Sequence, residues 1–220
     1  MTEPGTVLRF PVRAAPNSWP FDPLKPFAYD LVVADPPWPW ETYSAKGQEK
    51  SPEAQYQTMS IADIAALPIG DLVAPGGALI CWATWPLVAT DAVTRCMRAW
   101  GFAPITGGVW AKRTASGKLR WGTGYRNRSL CEPYFVTALV GSPVIDGRRF
   151  PNLVETIIHE LEAVSFDGLA REHSRKPDEF YALLAELSPG ARRLELFSRE
   201  TRPGWDGWGN EITKFDGAAT

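Results

Sequence analysis

Cysteine and histidine are scarce in this chain, and their spacing fits neither a metal site nor a disulfide framework. The 220 residues include 3 cysteines and 2 histidines. Cys81, Cys96 and Cys131 are scattered without CxxC spacing. We therefore predict no bound metal, no disulfide framework and a reducing compartment.

Long apolar runs are also missing. No segment approaches the ~20 consecutive apolar residues that a membrane-spanning helix needs. Residues 1–13 lack the apolar centre of a secretory signal peptide. These absences predict a protein that does not enter a membrane and that is located in the cytoplasm.

Strand-like and helix-like apolar patterns alternate along the chain. This predicts one α/β domain over residues 1–220, with a parallel or mixed sheet and helices on both faces. Residues 1–20 are predicted to be irregular, and residues 153–158 fit a strand or a helix. The predicted strands cover residues 28–34, 78–82, 102–112, 133–140 and 192–197. The predicted helices begin at Ser60, at residue 86 and at Lys176, and end at Pro68, Gly101 and Pro189. The predicted loops are residues 39–58 and a basic loop over residues 113–131.

The segment Asp35-Pro36-Pro37-Trp38 directly follows the first predicted strand. Ligands of open α/β sheets bind beyond the carboxyl ends of the strands. Ionised Asp35 accepts hydrogen bonds, the two prolines hold their carbonyls in place, and Trp38 offers a flat face for a base. These groups suit chemistry on the exocyclic amine of a nucleobase. The alternative is an ordinary turn that ends a strand.

Charge is unevenly distributed, although the net charge of −2 at pH 7 creates no global basic field. No acidic residue lies between Asp91 and Glu132. A basic loop with interleaved aromatic residues suits a phosphate backbone and unstacked bases, or is only a solvated surface. The cations of this segment are Arg95, Arg98, Lys112, Arg113, Lys118, Arg120, Arg126 and Arg128, and Trp110, Trp121 and Tyr125 are interleaved with them.

Polar residues also cluster in the last third of the chain. Glu195 lies in a predicted buried strand, where a purely structural role does not explain a carboxylate. The edge of a nucleoside cofactor, a ribose diol or a positive centre would each account for it. Lys176 near a helix start and Asn210 in a turn also have ordinary structural explanations.

The chain resembles the MT-A-seventy family of adenine N(6)-methyltransferases from about residue 28 to 214. Five motifs in the family's order carry the resemblance, beginning with Asp35-Pro36-Pro37-Trp38. The others are Tyr56-x-Thr58-Met59-Ser60, Ser174-x-Lys176-Pro177, Glu195-Leu196-Phe197-x-Arg199 and Gly204-Trp205 with Gly209-Asn210-Glu211. The resemblance implies a Rossmann-like sheet and S-adenosylmethionine as methyl donor. The family's permuted motif order explains why no early GxGxxG-type fingerprint is present.

The resemblance also implies the residues of the site. Asp35 and the Pro36 carbonyl would accept hydrogen bonds from the target amine, while Trp38 would stack on or wall the adenine. Glu132 and Lys176 would gate the adenine pocket. The implied catalytic residues are Asp35, Pro36, Pro37 and Trp38. The implied cofactor-binding residues are Asn17, Ser18, Asp35, Lys176, Glu195, Arg199, Asn210 and Glu211. The substrate-binding residues are Tyr56, Lys112, Arg113, Arg120, Tyr125, Arg126 and Glu132.

Asn17-Ser18 stands where the family often has an Asp, and residues 150–171 depart from the usual pattern, so that segment is left without a role. The absence of a long N-terminal extension favours a bacterial or phage enzyme that acts on DNA. RNA is the alternative substrate, and a non-catalytic nucleic-acid-binding member is the second alternative. We expect a preference for single-stranded or flexible sites, because a paired base must first leave its stack. A homodimer or a partner subunit is compatible with the family.

Overall fold

The computed structural model describes residues 18–39, 58–114, 116–122, 126–138, 152–158 and 176–216. Seven strands in these segments form one sheet in the order β5-β3-β4-β2-β1-β6-β7. The strands are β1 Tyr29–Ala34, β2 Val73–Trp82, β3 Ala103–Thr114, β4 Cys131–Ala138, β5 Leu153–Ile158, β6 Arg193–Leu196 and β7 Asp206–Trp208. The predicted loop 39–58 lies mostly outside the described residues, as does most of segment 150–171.

Local sequence signals explain where the helices begin and end. The α-helices are α1 Ile61–Ala66, α2 Trp85–Ala89, α3 Ala92–Ala99 and α4 Asp178–Leu187. The hydroxyl of Ser60 caps α1 by accepting from the backbone N–H of Asp63 at 3.1 Å. Pro177 precedes α4, and Asp178 and Glu179 in its first turn complement the helix dipole.

The directions of the strands decide which strand ends lie at the same edge of the sheet. Strands β2 and β6 run parallel to β1, β7 runs parallel to β6, and β5 runs parallel to β3. Only β4, among the described strands, is antiparallel to both of its neighbours, β2 and β3. The start of β4 therefore lies at the edge where the parallel strands end. Glu132, its second residue, reaches the same edge as Asp35.

Side chains of β1 alternate between two cores. Val32 and Ala34 pack in one core with α1 and α3, whereas Leu31 and Val33 pack in the other with α4. Each fully buried Val or Leu side chain contributes roughly 1.5–3 kcal/mol of transfer free energy. Burial on both faces explains why the strand reads as a continuous apolar run. The predicted Rossmann-like, mixed and mostly parallel sheet with helices on both faces is confirmed.

Several element boundaries differ from the prediction. The single helix predicted over residues 86–99 is wrong: it is divided into α2 and α3 at Asp91, whose φ of 61° is left-handed. Strand β2 begins at Val73, so Gly76 and Gly77 lie within it rather than in a preceding turn. A Cβ on Gly77 would lie 2.9 Å from the carbonyl oxygen of Asp30, so the close packing of β1 and β2 requires glycine there.

Residues 153–158 form a strand, which decides between the two structures that the sequence left open. Strand β3 continues to Thr114, beyond its predicted end and into the predicted basic loop, and β7 was not predicted. In the part of the chain that the structure describes, no helix is long and apolar enough to cross a membrane.

Candidate active site

The turn after β1 is closed by its own backbone and by its neighbours. The N–H of Trp38 donates to the carbonyl of Pro36 at 2.7 Å, and the N–H of Asp35 donates to the carbonyl of Leu196 at 3.3 Å. The N–H of Met59 donates to the carbonyl of Pro37 at 2.9 Å. These bonds hold Asp35 between the ends of β1 and β6. A carbonyl oxygen has two lone pairs, so Pro36 can still accept from a ligand.

Trp38 was expected to stack on or wall the adenine, and the structure shows its ring buried. Its side chain is only 5% exposed and belongs to the core that contains α1 and α3. Its indole N–H donates to the carbonyl of Trp82 at 3.0 Å. In the described geometry Trp38 therefore anchors the turn to β2, and its ring face is not open to a base. Burying an indole whose N–H is bonded is favourable, which explains the placement.

Two lysines and two carboxylates form a chain of ion pairs beside this turn, here called the Lys176 cluster. The ammonium of Lys176 lies 2.6 Å from Asp35 Oδ2 and 3.3 Å from Glu132 Oε2. Lys112 pairs with the other oxygen of Glu132. The Lys176 ammonium also lies 5.3 Å from the centre of the Trp82 ring. The Lys176 cluster thus pairs two lysines with two carboxyl groups, and the Trp82 ring lies beside the Lys176 ammonium.

The two carboxyl groups of the Lys176 cluster titrate differently. Burial raises the pKa of Asp35, and the adjacent Lys176 opposes this shift without cancelling it. Burial also acts to raise the pKa of Glu132, but Lys112 and Lys176 together lower it to about 2. Glu132 is thus held as a carboxylate, which both lysines contact.

A second charged group, here called the Arg202 cluster, lies between α4 and the loop after β6. The Arg202 guanidinium pairs with Glu195 at 3.1 Å and also with Glu200 and Asp178. It lies over the Tyr181 ring, 3.9 Å from its centre. The Tyr181 hydroxyl donates to Glu195 Oε1 at 2.5 Å. One buried cation therefore organises three carboxylates and a phenol.

Glu195 belongs to the Arg202 cluster. Burial raises its pKa, against the opposing effects of Arg202 and of the hydrogen bonds from Tyr181 and Ser198. Its Oε2 accepts from Ser198 at 3.0 Å as well as from Arg202. Both oxygens are thus already engaged by protein groups. The sequence left three explanations for the buried Glu195 carboxylate open. A neighbouring positive charge is the one that this geometry fits, and Arg202 carries that charge.

A narrow cleft joins the two clusters. Its lining includes Asp35, Lys176, Phe197, Arg199 and Phe215. Arg199 pairs with Glu211 at 2.9 Å and lies over the Phe215 ring at 4.8 Å. The cleft combines carboxylates, cations and aromatic surfaces, a set that suits a charged nucleoside.

Glycine permits the close approach that places the last motif. A Cβ on Gly209 would lie 2.4 Å from the carbonyl oxygen of Ser198, so no larger residue fits there without movement. The close contact brings Asn210 and Glu211 beside the loop after β6. Asn210 and Glu211 are both half-buried.

The predicted substrate-binding cations have different surroundings. Lys112 belongs to the Lys176 cluster, whereas Arg113 donates to the carbonyl of Gly117 at 2.9 Å. The backbone N–H of Arg120 donates to the carbonyl of Lys112 at 2.8 Å, and Arg126 is exposed.

Ser18 is exposed at the start of the first described segment. Asn17, Tyr56 and Tyr125 lie outside the described residues.

Sequence reasoning missed Arg202 and Tyr181. A signal for Arg202 existed, because a carboxylate in a buried strand requires a cation or several donors. The loop after β6 offers Arg199 and Arg202 as candidates. Tyr181 had no comparable signal, since an aromatic residue on the apolar face of α4 reads as core.

The fold and this cleft define a Rossmann-like α/β domain whose charged site lies at the carboxyl edge of the sheet. The family model described as MT-A70 matches residues 29–211. The chain therefore belongs to the MT-A70 family. This is the family, written MT-A-seventy above, that its five motifs indicated.

Relatives from plants, fungi and animals are similar to most of the chain. A Medicago truncatula protein named putative N(6)-adenosine-methyltransferase MT-A70-like is 27% identical over 84% of the chain and 26% of the relative. N6-methyladenosine RNA methyltransferase MTA1 of Cryphonectria parasitica is 29% identical over 85% of the chain and 52% of the relative. N(6)-adenine-specific methyltransferase METTL4 of Homo sapiens is 28% identical over 85% of the chain and 38% of the relative. The chain thus spans between about a quarter and about half of the length of these relatives.

Proposed function

We propose that this chain transfers a methyl group from S-adenosylmethionine to the 6-amino group of adenine in a nucleic acid. The observation that carries the proposal is the Lys176 cluster at the end of β1. There Lys176 lies within 2.6 Å of Asp35 and 3.3 Å of Glu132. Membership of the MT-A70 family supports the same reaction.

The chemistry of the cleft fits the methyl donor. Asp35 is an acceptor suited to the donor's α-ammonium, and Lys176 is a cation suited to its carboxylate. Arg199, Asn210 and Glu211 offer the polar groups that a ribose diol requires. When bound, S-adenosylmethionine supplies an electrophilic methyl group. Because Tyr181, Ser198 and Arg202 already engage Glu195, we assign Glu195 to positioning Arg202 rather than to the ribose.

Asp35 and Pro36 orient the nucleophile in this proposal. The lone pair of the adenine amine is delocalised into the ring, so the free amine is a poor nucleophile. Hydrogen bonds from the amine to Asp35 and to the Pro36 carbonyl favour a pyramidal nitrogen. Fixing that nitrogen beside the donor supplies most of the rate enhancement through proximity and orientation. Glu132, held as a carboxylate by Lys112 and Lys176, forms the polar wall of the base pocket.

DNA is the proposed substrate, with unpaired or flexible sites preferred. A base in a perfect duplex must be extruded at a cost of a few kcal/mol, which a single strand avoids. RNA is the alternative, and the names of two of the relatives described above refer to adenosine or RNA. Bacterial or phage origin, a cytoplasmic location, and a homodimer or partner subunit remain predictions.

The decisive experiment is methyl transfer from tritiated S-adenosylmethionine to matched single-stranded DNA, duplex DNA and RNA, followed by nucleoside mass spectrometry. We expect N6-methyladenine in DNA, with faster transfer to single strands. Methylated RNA without methylated DNA would favour the alternative substrate. Equal or faster transfer to perfect duplex would contradict the preference for unpaired sites.

A failed transfer reaction can be interpreted with a binding measurement on the same protein. Calorimetry with S-adenosylmethionine separates two causes. Donor binding without product on any substrate would mean that a partner subunit is required or that catalysis has been lost. Absence of donor binding would overturn the proposed function and favour a non-catalytic nucleic-acid-binding role.

A further inference from the structure

Trp121 is the most exposed of the described tryptophans, and nothing in the proposed reaction uses it. Its side chain is 60% exposed, whereas Trp110 in the adjoining strand β3 is only 3% exposed. An exposed indole in the basic loop loses the transfer free energy that burial would provide. Its position is therefore informative about what binds there.

The backbone around Trp121 is held by hydrogen bonds. Arg128 donates from Nε to the carbonyl of Gly122 at 3.1 Å and from its terminal nitrogen to the carbonyl of Trp121 at 3.4 Å. The N–H of Gly122 donates to the carbonyl of Ser129 at 2.7 Å. The Arg128 guanidinium also lies 5.6 Å from the centre of the Trp121 ring. Arg128 thus fixes the ring from one side and leaves most of its surface in solvent.

The position of Trp121 is tied to the candidate active site through two bonded steps. Its neighbour Arg120 donates from its backbone N–H to the carbonyl of Lys112 at 2.8 Å. The side chain of Lys112 pairs with Glu132 in the Lys176 cluster. Neighbouring extended segments lie only ~4.8 Å apart. These contacts join the segment that contains Trp121 to the end of β3, beside the lysine that pairs with Glu132.

The surroundings of Trp121 suit a nucleic acid better than a protein partner. No acidic residue occurs between Asp91 and Glu132, and the same segment carries Lys118 and Arg126 in addition to Arg128. Among described residues 116–122 and 126–130, Leu119, at 39% exposure, is the only other exposed large apolar side chain. A stable protein interface buries about 800 Å² on each partner. One open ring among cations is instead typical of surfaces that bind single strands.

We infer that Trp121, held by Arg128, is a stacking platform for a base that flanks the target adenine in a single-stranded nucleic acid. This inference rests on the proposed function and adds a residue that positions the strand. The indole would take the face of the flanking base, and the surrounding cations would contact the phosphates. Base stacking on an aromatic residue tolerates any sequence, since every base has a flat face.

The first test measures binding of a fluorescein-labelled, adenine-containing single-stranded oligonucleotide by anisotropy at fixed salt. We expect Trp121→Ala to weaken binding by about 5- to 150-fold. Trp121→Phe should retain most of the affinity, because phenylalanine can still stack. Ile105→Ala is the matched control: Ile105 is 69% exposed near the start of β3, whereas the segment of Trp121 adjoins the end of that strand, and the loss of Ile105 should leave affinity unchanged.

Salt dependence distinguishes stacking from a collapse of the loop. Stacking releases no counterions, so Trp121→Ala should keep the wild-type slope of log affinity against log salt. Lys118→Ala, which removes one phosphate-contacting cation, should reduce that slope by about 0.7. An equal reduction of the slope in Trp121→Ala would mean that the loop has moved, and would overturn the inference.

Abasic substitutions locate the stacked base. In the wild-type protein, removing the base at one flanking position should weaken binding, and Trp121→Ala should show little further loss with that oligonucleotide. Wild-type affinity in Trp121→Ala would overturn the inference alone, and a changed molecular mass in sedimentation would then assign Trp121 to a protein interface. Failure of the wild-type protein to bind any single strand would overturn the proposed function as well.

Discussion

The Lys176 cluster and the Arg202 cluster lie at the same edge of the sheet but differ in charge balance. The Lys176 cluster pairs two lysines with two carboxylates, and 20% of the Asp35 side chain and 25% of the Glu132 side chain remain exposed. In the Arg202 cluster one guanidinium serves three carboxylates, two of which are each only 8% exposed. The first cluster has equal numbers of cations and anions, whereas the second depends on a single cation.

This difference separates ligand binding from structural support. Partly exposed ion pairs of lysine can exchange partners, because an ammonium is a flexible point charge. Arg202 instead binds through a rigid planar fork to Glu195 of β6, to Asp178 of α4 and to Glu200 of the loop after β6. Removing it would take away the main cationic partner of two buried carboxylates, Glu195 and Glu200. We therefore expect the Lys176 cluster to govern activity and the Arg202 cluster to govern stability.

The largest expected effect is on stability, through Arg202→Met. The loss of the cation leaves Glu195 and Glu200 buried without their main partner, which should lower the free energy of unfolding by about 3–5 kcal/mol. Urea denaturation followed by circular dichroism measures the change. Arg192→Met is the control, since Arg192 is exposed and forms its ion pair, at 3.3 Å, with the partly exposed Asp30. A loss below 1 kcal/mol for Arg202→Met would contradict the structural role.

Asp35→Ala tests the other half of the comparison. We expect methyl transfer to fall by at least about 10²–10³-fold, since a charged acceptor aimed at the reacting amine is lost. The fold should stay intact. Asp30→Ala is the control, because Asp30 lies on the same strand at its opposite end. Unchanged transfer by Asp35→Ala would disprove the assignment of this site.

Tyr181→Phe sharpens the comparison within the Arg202 cluster. It removes only the hydrogen bond from the phenol to Glu195, so we expect a loss of about 1.5–3 kcal/mol in unfolding free energy. Arg202 and Ser198 still engage Glu195 in this variant. Thermal unfolding measures the loss, with Tyr134→Phe as a comparison because Tyr134 is a buried tyrosine of the same core. A loss as large as that of Arg202→Met would show that the phenol, not the cation, organises the cluster.

Glu132→Gln should have the smallest effect on the free energy of unfolding, about 1 kcal/mol at neutral pH, because solvent screens this partly exposed side chain and only part of its pKa shift acts on stability. The pKa of Glu132 is about 2 in the folded state, below its ordinary value of 4.5. Its contribution is therefore fully present above about pH 4.5 and is lost as the pH falls towards 2. The stability difference between wild type and Glu132→Gln should shrink over that window in acid denaturation. A difference that stays constant from pH 5 to the lowest pH would contradict the two-lysine arrangement.

The main fold was predictable because its patterns are local. The apolar run of β1, the capping pair Ser60 and Asp63, and the start of α4 each depend on neighbouring residues. The break at Asp91 was not predictable, since a left-handed residue within a continuous apolar pattern leaves no periodic trace. The short strand β7 was missed for another reason: three residues form a strand only because β6 is beside them.

The candidate site was predictable in part. Asp35 and Lys176 stand in recognisable motifs, and the structure brings them within 2.6 Å although 141 residues separate them. Trp38 stands in the same motif, yet packing buries its ring in the core. The sequence marked Glu195 as an unusual buried acid. Its partners Tyr181 and Arg202 could not be predicted, because they meet Glu195 only through the packing of α4 against the loop after β6.

The sequence by itself determined the chemistry available to this protein: a carboxylate after a buried strand, cations in a loop without acids, and the motifs of one family. Tertiary structure decided which of these groups meet. The reversed direction of β4 brings Glu132 to the edge where Asp35 lies, and a close approach at Gly209 brings Glu211 to Arg199. Such pairings depend on strand order and packing, which join residues far apart in the chain, and no local pattern encodes them.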